Sequence, residues 1–119
     1  METLDEFDNL LLRVIDETLR YALGDINARI VFDYLEKNSC SFLEIPRKLD
    51  VFSGALRQLI GTGRGQIIGA GPILENVIAE IFCRRLGLEF RESGPVVLAD
   101  YVERLREAYR NREVKVLER

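Results

Sequence analysis

Apolar residues recur along this chain at steps of three and four, and its first stretch shows the pattern most plainly. Leu4, Phe7, Leu11 and Val14 fall on one side of a helix, and Ile15, Leu19 and Leu23 widen that stripe into a core-facing surface. The stripe spans under three heptads, too short for a coiled coil to be its natural use. Thr3 followed by Glu6 reads as a capping box, Asp5, Glu6 and Asp8 suit the positive end of the helix dipole, and Gly24 supplies a left-handed stop. A second helix is predicted from Asp25 to Lys37, with Ile26, Ile30, Val31, Tyr34 and Leu35 inward and Arg29, Asp33, Glu36 and Lys37 outward. The one-residue joint at Gly24 requires these helices to run antiparallel or to cross sharply.

Residues 38–41 break the periodicity. Ser41 and Glu44 offer another capping box, but Pro46 lies inside the segment, which predicts a short helical turn that the proline interrupts or restarts. From Phe52, residues Ala55, Leu56, Leu59 and Ile60 mark a short helix ending at Gly61. A long helix is predicted from Pro72 to Leu86, where Ile73, Leu74, Val77, Ile78, Ile81, Phe82 and Leu86 nearly encircle the axis. The last helix, from Val97 to Arg112, turns Leu98, Tyr101, Val102, Leu105, Ala108 and Tyr109 to one side. These elements predict an all-α, single-domain orthogonal bundle of five to six helices over residues 1–119, with 111–119 as a frayed tail. The first and last helices are expected on the outside and the Pro72–Leu86 helix in the middle.

Composition narrows the chemistry more than the fold. The chain has 119 residues, 47% hydrophobic and 31% charged, so it lies well within the range that can build a core. It contains no histidine, which removes the side chain best suited to proton transfer near neutral pH and the commonest metal ligand. Cys40 and Cys83 are too few and too far apart for a zinc site and are read as reduced thiols. No nucleophile has an evident base, and Glu75 and Glu80 do not share a helix face, so no catalytic, metal or cofactor-binding residue is predicted. The acidic N-terminus and the lack of any long apolar window predict a cytoplasmic protein with no membrane partner. Residues 1–25 hold seven acids against two bases, a local charge of −5 within an overall −3. The balanced remainder gives little basis for a broad nucleic-acid footprint.

One feature has a chemical flavour. In GTGRGQIIGAGP, Gly61, Gly63, Gly65, Gly69 and Gly71 are five of the nine glycines, and their backbone amides beside a helix N-terminus form a candidate anion corner. Arg64, Arg84 and Arg85 would add charge to it for nucleic acid. The spacing matches neither the dinucleotide fingerprint nor the phosphate loop, and a tight interhelical corner is its structural reading. Ile68 to Pro72 also looks like the centre of a helix-hairpin-helix, though Glu75 stands where that motif prefers a small apolar residue. A helix-turn-helix across Phe42 to Ile60 is disfavoured by Pro46, and Arg84 and Arg85 equally suit the dipole end of their helix.

The run Ala55-Leu56-Arg57-Gln58-Leu59-Ile60-Gly61, the stretch from Gly69 to Phe90 ending in RRLGLEF, and Asp100-Tyr101-Val102 resemble the small archaeal output-domain family named for Nitrosopumilus. The resemblance runs from about Phe7 to Tyr109, and this chain departs from it in the added GTGRGQII. It implies a helical interaction or signalling module with no catalytic residue. The expectation from the residues is the same: a non-enzymatic, self-associating module. Its acidic first-helix face (Glu2, Asp5, Glu6, Asp8, Asp16, Glu17) and its arginine-rich C-terminal end (Arg104, Arg106, Arg110, Arg112) would pair across a homodimer. The alternatives are a nucleic-acid-binding protein or a small-anion-binding domain using the glycine corner.

Overall fold

The computed structural model describes residues 5–60, 70–88 and 97–117, leaving aside the side chains of 70–72 and 112–117. The elements are α1 (Glu6–Leu23), α2 (Asp25–Lys37), a 3-10 segment (Phe42–Arg47), α3 (Leu49–Ile60), α4 (Ala70–Arg85) and α5 (Leu98–Leu117). They form the expected all-α bundle, with no strand among the described residues.

Helix α1 is capped by Asp5, whose carboxylate accepts the Asp8 N–H at 2.8 Å. The cap thus falls later than the Thr3 box, and Thr3 lies outside the described residues. Gly24, at φ +86°, ends α1 by donating its N–H to the Arg20 carbonyl at 2.9 Å. Its own carbonyl accepts from Ala28 at 3.0 Å and so opens α2. The expected cap at Asp25 is therefore moved back to Gly24, and Asp25 is the first helical residue. Nothing lies near the position a Cβ would take at Gly24, so the backbone angle and not crowding selects glycine.

Rotation of α2 differs from the expectation. Ala28, Val31 and Leu35 are buried, while Ile26 is 79% and Ile30 50% exposed. Two apolar stripes interleave on this helix, and only one can face the core. The small Ala28 lets α2 lie close to its neighbours, and a one-residue joint leaves no slack to turn the isoleucines inward.

Beyond α2, Ser39 adopts φ +63° and the Cys40 N–H reaches back to the Leu35 carbonyl at 2.9 Å. The Ser41 to Glu44 capping box forms as expected, with the Ser41 N–H donating to Glu44 at 3.1 Å. Pro46 is accommodated in the 3-10 segment, and α3 begins at Leu49, earlier than the expected Phe52. Helix α4 likewise starts at Ala70, with Pro72 inside its first turn, where a missing N–H costs no intrahelical bond. Ile73, expected inward, is half exposed. Helix α5 carries on to Leu117, past the expected end at Arg112.

Two helices share the centre. Helix α4 packs against α1, α3 and α5, and it buries Leu74, Ile78, Ala79, Phe82 and Cys83. Helix α1, expected on the outside, packs against α2, α4 and the 3-10 segment and buries Phe7, Leu11, Leu12, Val14, Ile15, Thr18 and Leu19. Its apolar stripe is wide enough to be covered from several sides. The Phe7 ring meets Phe82 edge-on at 4.9 Å and Tyr109 at 5.7 Å, which locks α1, α4 and α5 together.

Candidate functional site

Of the glycine corner, Gly61, Gly63, Arg64, Gly65 and Gly69 lie outside the described residues, and Gly71 sits in the first turn of α4. Arg84 and Arg85 are described, and both are engaged. Arg84 bonds Glu80 at 2.9 Å along α4, and Arg85 bonds Glu17 of α1 at 2.7 Å. Each guanidinium already has a carboxylate, which lowers the positive potential they would offer to a phosphate. Both cysteines are buried, and burial pushes the Cys40 thiol upward from its ordinary pKa, away from the reactive thiolate. Among the described residues no cluster of three or more Cys, Asp or Glu side chains is placed to hold a metal ion. No described helix is long and apolar enough to cross a membrane.

One arginine of α5, Arg106, meets the acidic face of α1 within the chain. Arg106 donates to Asp8 at 2.7 Å, with the two side chains only 15% and 13% exposed. It also approaches Asp5 at 3.9 Å and Glu103 at 3.8 Å, and its guanidinium lies 4.5 Å from the Phe7 ring centre. Asp16 is taken by Arg20 at 2.8 Å. The charge complementarity expected between subunits is thus largely spent inside one molecule for Asp5, Asp8, Asp16, Glu17 and Arg106. Beside this knot, Asp5, Glu6, Phe7, Arg106, Tyr109 and Arg110 line a groove of about 380 Å³. Its central arginine is held by acids and by an aromatic ring, which makes the groove a seam between helices.

A second charged feature joins α3 to α4. Glu75 on α4 is 1% exposed, and neither carboxylate oxygen has a hydrogen bond. Its compensation is Arg57 of α3, whose Nε lies 3.5 Å from Glu75 Oε2 and whose side chain is 49% exposed. A buried carboxylate held by one half-wet cation is costly on its own account and ties α3 to α4 through charge. Nothing in the residue spacing marks it, because the two positions come together only once both helices are placed.

Among the described residues, the outer face of α2 carries two exposed aliphatic side chains in register. Ile26 and Ile30 stand one turn apart on the side of the helix opposite Ala28, Val31 and Leu35. Around them Arg29, Asp33, Glu36 and Lys37 make no ion pair with any described residue. Exposed single apolar residues are ordinary, whereas here two branched aliphatics align on one exposed helix face beside four charges that have no ion pair with a described residue. The sequence signal for this surface is a doubled stripe, Ile26 and Ile30 on one side and Ala28, Val31 and Leu35 on the other.

No family model matches this chain, and neither the curated proteins nor the solved structures compared with it gave a significant match.

Proposed function

We propose that this chain is a non-enzymatic helical interaction module that acts by protein association, including association with itself. The observation that carries the reading is the outer face of α2, where Ile26 and Ile30 project from a well-formed helix at 79% and 50% exposure. Water contact at two aligned isoleucines costs free energy that a docked partner would recover. The sequence has no histidine, the side chain best suited to proton transfer near neutral pH, and this composition favours binding over catalysis. The proposal includes a cytoplasmic setting and membership of the Nitrosopumilus-named output-domain family, on the residues given for that resemblance. Native mass spectrometry of protein purified at low salt tests it. A dimer or higher oligomer free of ligand that grows with protein concentration is the expected result, whereas a monomer retaining nucleic acid or a small anion would replace this reading with the glycine-corner alternatives.

A further inference from the structure

We infer that the outer face of α2 is self-complementary, so that a second copy of this chain lays its own α2 antiparallel against it across a two-fold axis. The inference rests on the association reading above and names the partner.

Ile26, Ile30, Asp33 and Lys37 follow one another at steps of four, three and four, the seam spacing of helices that pack side by side. Two orientations of a second α2 are open to such a seam. A parallel mate sets each seam residue against its own copy, which places Asp33 against Asp33 and Lys37 against Lys37. An antiparallel mate, with the axis crossing the seam midway between Ile30 and Asp33, sets Ile30 beside Asp33 and Ile26 beside Lys37 of the second copy. There the aliphatic stem of Lys37 covers Ile26 while its ammonium stays in water.

The flanks select the same orientation. In antiparallel packing the residue just before a seam position lies near its equivalent one heptad along the other chain, so Arg29 meets Glu36 of the second copy and Glu36 meets Arg29. Symmetry makes this contact twice. Asp33 of the second copy lies within reach of the same Arg29. All four charged side chains are free to respond, since none has an ion pair with a described residue of its own chain. Helix α2 has 13 residues, so it is about 20 Å long, and a pair of them covers less than the roughly 800 Å² per partner of a standard interface. The dimer is accordingly weak and sensitive to dilution.

Sedimentation equilibrium of the full chain, from about 10 µM to about 1 mM, tests the arrangement. Wild-type protein is expected to shift from monomer to dimer over this range, and the double variant Ile26→Glu, Ile30→Glu to stay monomeric with an unchanged far-ultraviolet circular dichroism spectrum. Arg29→Glu alone and Glu36→Arg alone should each weaken self-association by roughly tenfold or more. An equal mixture of these two charge variants should associate again, because every substituted position then meets its opposite. A mixture no stronger than either variant alone overturns the antiparallel pairing. A wild-type dimer that survives loss of both isoleucines overturns the α2 assignment while leaving the association reading in place. A wild-type chain that remains monomeric at the highest concentration contradicts both.

Discussion

Helices α1 and α2 are neighbours joined by a single glycine, yet they use their surfaces in opposite ways. Helix α1 commits its apolar stripe and three of its acids to its own chain, although Tyr21 near its end is 95% exposed: the stripe is covered by α2, α4 and the 3-10 segment, and Asp8, Asp16 and Glu17 each meet an arginine within 2.8 Å. Helix α2 fully buries Ala28, Val31 and Leu35, packs Phe32 and Tyr34 partly against the core, and leaves two isoleucines exposed and four charges without an ion pair to any described residue. The difference shows that opposite charge counted along a sequence says little about where pairing happens. Acids and bases far apart in the chain neutralise each other when the fold brings them together, and the charges left over point to a surface that the fold itself does not need.

The contrast breaks most severely in the α1 core. Leu11→Ala, at a fully buried position, should cost about 2–5 kcal/mol in urea unfolding. A loss well under that range would mean α1 is less central than its packing indicates. Next comes the buried charge: Arg57→Ala strands the Glu75 carboxylate and should cost about 1–3 kcal/mol, while Glu75→Leu should be near neutral or stabilising. Equal losses from both substitutions would show instead that the pair is net favourable.

Removing the α1–α5 knot with Arg106→Ala should cost about 1–2 kcal/mol, measured in the same way, because Asp8 loses a charge-assisted bond and Phe7 its cover. At the outer face of α2, Ile26→Glu should change stability by no more than about 0.5 kcal/mol. A large destabilisation there would place Ile26 in the core and erase the contrast. The smallest effect lies in the 3-10 segment packed against both helices. Hydrogen bonds from the Ser41 N–H and hydroxyl hold the Glu44 carboxyl below its usual range, so the capping box contributes stability above the ordinary glutamate pKa and loses it as pH falls through the lowered value. The gap in melting temperature between wild type and Glu44→Ala should narrow on acidification, and a constant gap would assign the effect to packing.

Much of this architecture was legible in the residues, because amphipathic spacing, caps and glycine stops act locally. Gly24 and the Ser41–Glu44 box did what their chemistry requires. What the residues do not carry locally depends on contacts distant in sequence. Which of two stripes α2 buries depends on what lies under it, and Ala28 carries too weak a hydrophobic signal to advertise its place. The burial of Glu75 depends on the crossing of α3 and α4, and no periodicity records that. Of the residues proposed for the glycine corner, Arg84 and Arg85 have carboxylate partners, and the partner of Arg85 is on α1.

Isoleucine methyl NMR across a dilution series tests the central claim most directly, since isoleucines sit in every relevant setting. Ile26 and Ile30 signals should move with concentration, while buried Ile15, Ile45 and Ile78 stay fixed, and so should half-exposed Ile73, which lies on α4 away from the α2 seam. Concentration dependence at Ile73 with none at Ile26 and Ile30 would contradict the account and place the association surface on α4.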